Sequence, residues 1–293
     1  MNLRYLNVRR SILILLVSVI VLGLVWGAYK RNRFWDRQAA ISTMEKDGAK
    51  FEEYVIYKNS PWKSDLGINS NTYVYEIKFM GNCNDATLTH LAEIDVPDIQ
   101  FVELNKCQVT GEGLSRLKDL QNLQCININA CRLGKAGLSH LLELPKLQYL
   151  HLDNIPLQES DFQIICRLTQ LKVLGLYGME LSDNNLAQLG KLKGLSHLIL
   201  NKTTLTDRSM EQMPYFPELT SLDIRYTPIT DKGLKFLKKQ KNLQSVTLEE
   251  NEITKQGMRE LQDALSGLSF YDSNGKIILD IDKNPGAGED IVP

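Results

Sequence analysis

The sequence predicts an α/β solenoid: a curved stack of short strand–helix units, with a parallel sheet on the concave side and helices on the convex side, behind one N-terminal transmembrane helix. Three observations predict it. Apolar residues recur every 24 positions without an insertion, so that Ile99, Leu123, Leu147, Leu171, Leu195, Leu219 and Leu243 stand in register. Within each unit the apolar spacing changes from that of a strand to that of a helix. Finally, the run from Ser11 to Tyr29 contains 19 residues and no charge.

The totals agree with a well-packed protein. Of 293 residues, 43% are hydrophobic, enough for a sizeable core. Lys+Arg 34 against Asp+Glu 35 leaves a net charge of −1, so no global field exists to capture nucleic acid, and none is expected as a partner. Five cysteines without paired CxxC spacing form neither a disulfide framework nor a zinc signature. "TGEG" at Thr110 lacks the lysine and spacing of a phosphate-binding loop, and no small-molecule cofactor is expected.

In chain order, residues 1–10 form a short tail with Arg4, Arg9 and Arg10. Residues 11–29 as a helix would cover about 29 Å, the thickness of a bilayer core. Lys30, Arg31, Arg33 and Arg37 follow, with Trp26 and Tyr29 where interfacial aromatics belong. A cleaved secretory leader shares the basic start, the apolar run and the small Gly27-Ala28. The length of the run and the basic residues directly after it favour an uncleaved anchor. Positive charge is nearly balanced across it, so orientation rests on the habit of short N-terminal tails to stay in the cytoplasm. The remainder is then exported and the protein is a single-pass membrane protein.

Residues 30–73 read as a juxtamembrane helix and N-terminal cap. Phe34 or Trp35, Ala39, Ile41 and Met44 keep helical spacing up to Gly48, and Phe51 to Tyr57 reads as a strand. A stack of repeats has an exposed apolar end that such a segment covers. Residues 74–281 hold about eight repeats and a C-terminal cap, and 282–293 form a flexible tail.

Each repeat follows one plan. Val102, Ile126, Leu150, Leu174, Leu198, Leu222 and Val246 lie two positions before Leu104, Ile128, Leu152, Leu176, Leu200, Ile224 and Leu248, and only extended backbone puts such residues on one face. Thr110, Ser182, Thr206, Thr230 and Thr254 then supply a helix cap, with Asp183, Asp207 and Asp231 suited to the positive end of the helix. Leu114, Leu138, Phe162, Leu186, Met210, Leu234 and Met258, each joined three residues on by another apolar residue, predict helices of two or three turns. Pro97, Pro145 and Pro217 mark where the helix must stop. Gly113, Gly137, Gly233 and Gly257 share a first-turn position expected to pack closely against the next unit.

This pattern, LxxLxLxxTxITDxGLxxLxxLxx, resembles the leucine-rich repeat in the variant with a full helix per unit. The resemblance covers Val74 to about Leu268, and the anchor-plus-cap arrangement is similar to membrane-tethered bacterial leucine-rich-repeat proteins. Where the family places Asn or Cys to satisfy backbone groups, this chain has Cys107, Cys131, Ile155, Met179, Thr203, Thr227 and Asn251.

With the leucines inside, the alternate strand residues line a concave surface roughly 40 Å long. Tyr149, His151, Asp153, Tyr177, His197 and Arg225 occupy its middle, and aromatics with arginine are the types that concentrate binding energy. The expected function is a membrane-anchored scaffold, held by residues 11–29, that binds a protein partner there. The alternatives are a structural surface protein without a defined ligand and a substrate-recognition subunit of a larger complex, as in ubiquitin ligases. An enzyme ranks last: Cys125, His151 and Asp153 lie on adjacent strands, but nothing supplies an oxyanion hole. A metal site of Cys125, Cys131 and His151 matches no common ligand spacing. A Cys107–Cys131 disulfide between neighbouring units is not the expected state, though export would favour it, and "NKT" at Asn201 meets the glycosylation triplet, which has meaning only in a eukaryotic secretory pathway.

Overall fold

The computed structural model describes residues 39–46, 49–55, 73–81, 83–92, 99–134 and 137–279. The expected membrane-spanning segment and both tails lie outside them. Among the described residues, no helix is long and apolar enough to cross a membrane.

The extended stretches among the described residues form one 11-stranded sheet ordered as in the sequence: β1 (Ala49–Val55), β2 (Tyr73–Met80), β3 (Ile99–Asn105), β4 (Cys125–Asn129), β5 (Tyr149–Asp153), β6 (Val173–Gly175), β7 (His197–Ile199), β8 (Ser221–Asp223), β9 (Ser245–Thr247), β10 (Ser269–Tyr271) and β11 (Ile277–Leu279). Strands β2 to β10 are parallel, and β1 and β11 close the two ends antiparallel. From β3 to β10 each residue pairs with its counterpart 24 positions away, as Cys125 with Tyr149, Leu174 with Leu198 and Leu198 with Leu222. That register sends Leu150, Leu174, Leu198 and Leu222 to one face, all fully buried. No unit buries its own leucines; each covers its neighbour's. At the N-terminal end the helix over residues 39–46 adds Ala40 and Met44 to the same core, and β1 begins at Ala49, ahead of the expected Phe51.

The expectation of two or three full α-turns holds in some units, with α-helix over Glu159–Ile165 and Lys255–Gln262, and fails in others. Gly111–Leu114 and Asp231–Leu234 are four residues of α-helix that tighten into 3-10 turns over Ser115–Asp119 and Lys235–Lys239, and Gly137–Glu143 is 3-10 throughout. A 24-residue unit leaves few residues for the return path, and a 3-10 helix rises about 2.0 Å per residue against about 1.5 Å, covering the distance with fewer.

The capping residues do more than end their own helices. Thr230 caps the helix at 231 by accepting from Lys232 N at 3.2 Å. Its backbone N and hydroxyl both donate to Asp207 of the preceding unit, at 2.8 and 2.7 Å, and Gly233 N donates to the same carboxylate at 3.0 Å. Asp85 holds Thr110 and Gly113 in the same way, and Asp231 holds Thr254. Each carboxylate therefore sits at the positive end of the following unit's helix rather than only its own, a ladder of charge-assisted bonds. The glycines answer to it: a Cβ on Gly113, Gly233 or Gly257 would collide with that aspartate, so the close packing is against the preceding unit.

The column with few asparagines is satisfied by other means. Cys131 Sγ approaches Leu104 O at 3.5 Å and accepts from Cys107 N at 3.3 Å, while Thr203 and Thr227 hydroxyls donate to Leu200 O and Ile224 O at 2.6 Å. Asn251 bridges to Ile224 O and Thr227 O, both at 2.8 Å. All five cysteines are free thiols, so Cys107 and Cys131 exchange hydrogen bonds instead of forming a disulfide. Asn201 is buried, and its glycosylation triplet is inaccessible in the folded protein.

Candidate binding surface on the concave sheet

Two regions of the concave side differ in chemistry. In the first, between β2 and β6, inward-facing side chains lie one strand spacing apart and cover one another. Phe101, Tyr149 and Val173 stand in one row and all three are buried. Tyr149, expected at the solvent surface, is 1% exposed. Alternation along the strand fixes which face a residue takes, but lateral packing by large neighbours on a curved sheet fixes whether water reaches it. Tyr149 is therefore part of the sheet's packing rather than a contact residue.

His151 is half-buried on β5, its ring lying across Gly175 of β6, where any Cβ would strike Nδ1. Burial lowers its pKa below the ordinary 6.5. Asp153 is pushed the other way by burial, opposed by a hydrogen bond from the Tyr177 backbone. The lowered histidine pKa means that protons bind the unfolded chain first. Stability contributed by neutral His151 is present above pH 6.5 and lost as pH falls from there toward its folded pKa. Urea unfolding of wild type and His151→Gln is expected to show a shallower loss in the variant below pH 6.5; parallel curves would remove His151 as the source.

Cys125 faces the same region, but not as a nucleophile. Burial, then the carboxylates of Glu76 and Glu103, push its thiol up, the opposite of what thiolate chemistry needs. In register, Cys125 pairs with Tyr149, while His151 pairs with Asn127. The candidate metal trio is also dispersed: Cys131 points into the core column, and no group of three metal-ligating side chains converges among the described residues.

The second region lies on β6 to β9 and the turns leaving them. Arg225 is locked to Asp223 by Nε–Oδ1 at 3.0 Å and Nη2–Oδ2 at 2.7 Å, a two-pronged pair that fixes its direction. His197 Nδ1 meets Ser196 Oγ at 2.9 Å. Tyr177 is half-exposed, and the structure adds two residues that the strand rows do not contain. Lys202 Nζ lies 5.2 Å from the Tyr177 ring centre and 5.4 Å from that of Tyr226, a cation between two aromatic faces. Tyr226 is 38% exposed, and its phenol is held by Glu249, whose hydrogen bond pushes the Tyr226 pKa up.

The turn backbone puts them there. Lys106, Ala130, Asn154, Lys202, Tyr226 and Glu250 share one repeat position with φ between 51 and 56°, a left-handed conformation that tilts each side chain out along the sheet's rim. Lys202 N and Tyr226 N donate to Arg225 O and Glu249 O of the next unit at 2.9 and 2.7 Å, holding the turn.

A strand, a left-handed turn, a hydrogen-bonded Cys/Thr/Asn column and a short helix, repeated every 24 residues in one parallel sheet, define the class: the chain is a leucine-rich-repeat protein. The family model described as Leucine Rich repeat matches residues 217–238. No match is found among curated proteins. Among solved structures, an internalin (inlF) from Listeria monocytogenes str. 4b F2365 is similar at 16% identity and TM-score 0.43, over 64% of this chain and 56% of its own. An internalin C2 (inlC2) from the same strain is similar at 19% identity and TM-score 0.42, over 71% of this chain and 79% of its own. The chain thus spans little more than half of the inlF chain.

Proposed function

We propose that the chain is a membrane-anchored scaffold, tethered by residues 11–29 with its repeats on the exported side, that binds a protein partner through the concave surface around Tyr177, His197, Lys202, Arg225 and Tyr226. The carrying observation is the Tyr177–Lys202–Tyr226 stack. Aromatic rings held by neighbours and a guanidinium already oriented by Asp223 lose little freedom on binding, which makes them effective anchors. A solenoid supplies the rigid, extended support on which such anchors keep their spacing. The reading as a structural protein without a ligand has no comparable feature in its favour.

Crosslinking capture with the full-length chain in its native membrane tests this. Tyr177→Ala with Tyr226→Ala is expected to reduce recovery of the partner by about ten-fold or more, the loss of at least one anchor of about 2 kcal/mol. Tyr215→Ala, which removes an aromatic 46% exposed after the helix Asp207–Gln212, is expected to leave it unchanged. Equal recovery from all three proteins would exclude the concave patch.

A further inference from the structure

A hollow of about 210 Å³ opens on the concave side between β2 and β5, lined by Glu76, Phe101, Glu103, Cys125, Asn127 and His151 over the buried Tyr149. Its volume is that of one long side chain, well under the roughly 300 to 1,000 Å³ of small-molecule pockets. We propose that it receives a lysine or arginine side chain of the partner protein. This inference rests on the preceding reading that the concave face meets a protein, and it adds the chemistry of one contact.

Four features point to a basic group. Glu76 and Glu103 enter from neighbouring strands, and Lys78, which meets Glu76 Oε2 at 3.5 Å, is not among the lining residues. Both carboxylates reach the middle of the hollow electrostatically, as their effect on the Cys125 thiol shows. Asn127 Oδ1 is buried between Glu103 and His151 in register and has no hydrogen-bond donor among the described residues. A buried acceptor without a donor is costly, and an entering N–H would satisfy it. The Phe101 ring and the neutral imidazole offer flat surface for an aliphatic stem or a guanidinium plane. A bare metal ion is the poorer occupant, because the described residues bring no three ligating side chains together.

The test needs no partner, so its failure strikes only the hollow and leaves the Tyr177–Tyr226 surface to its own experiment. Full-length protein in detergent micelles, carrying ¹³C at histidine Cε1, is titrated with N-acetyl-arginine amide, N-acetyl-lysine amide and the uncharged N-acetyl-citrulline amide. The His151 signal, assigned through His151→Gln, is expected to shift saturably with a basic probe, at about ten-fold lower concentration than with citrulline. Glu103→Gln is expected to weaken the basic probe by about ten-fold, and Asn127→Asp to tighten it. His140, on the convex 3-10 turn Gly137–Glu143, reports nonspecific effects and is expected not to move. Equal response to citrulline, indifference to Glu103→Gln, or equal movement of His140 would overturn the assignment.

Discussion

Replacing Gly233 by alanine is expected to destabilise the protein by about 3 kcal/mol, the combined scale of overpacking and of losing charge-assisted hydrogen bonds. The added Cβ would run into Asp207 Oδ1, with Ile229 Cγ2 at 2.9 Å and Asp207 Cα at 3.1 Å. Because the Asp207 Cα is also among the obstacles, a rotamer change alone does not relieve every contact. The collision also displaces the carboxylate that accepts from Thr230 N, Thr230 Oγ1 and Gly233 N. Asp207→Ala removes the carboxylate, the nearest obstacle, and its bonds together. A double-mutant cycle is therefore expected to be non-additive, with the pair less damaged than the sum of the singles. Additive losses in urea unfolding would mean that the two residues do not share one contact.

Leu198→Ala is expected to cost a similar or larger amount, about 3 to 4 kcal/mol, through lost burial and the cavity left behind. Leu198 is fully buried and stands in register between Leu174 and Leu222, so the cavity opens onto both neighbouring units. Because a solenoid is stabilised through its nearest-neighbour interfaces, one truncation weakens two of them. Leu198→Met, which conserves volume, is expected to cost less than about 1.5 kcal/mol. A loss below 1 kcal/mol for the alanine variant, read from the urea midpoint at constant slope, would place Leu198 outside a packed core.

The aliphatic ladder was legible because burial at a repeat position imposes the same demand in every unit, and leucine answers it each time. The strand Ser221–Asp223 between the buried Leu219 and Ile224, and the turn and cap at Ile229 to Gly233, follow from that alone. Interactions across units were not legible in the same way. Asp207 reads locally as a first-turn acid, yet its bonds go 23 and 26 residues onward, to Thr230 and Gly233. Tyr149 reads as solvent-facing by alternation, and only its neighbours in adjacent units bury it. At the candidate site, Tyr177, His197 and Arg225 were identified from their strand positions. Lys202 and Tyr226 were not, because neither residue type announces a left-handed turn; Asn154 and Gly178, at the same repeat position, are the signals that point to it.

The central claim is that successive units stack in one 24-residue register, and native-state hydrogen exchange tests it most directly. Leu176, Leu200, Ile224 and Leu248 donate their amides to Ile199, Asp223, Thr247 and Tyr271 of the following strand, at 2.8 to 3.2 Å. Those four amides are expected to be strongly protected in the wild-type protein, and Ile224 and Leu248 to lose protection first in Gly233→Ala. Exchange of all four at the rate of an unstructured chain would contradict the stacked sheet and everything built on its concave face.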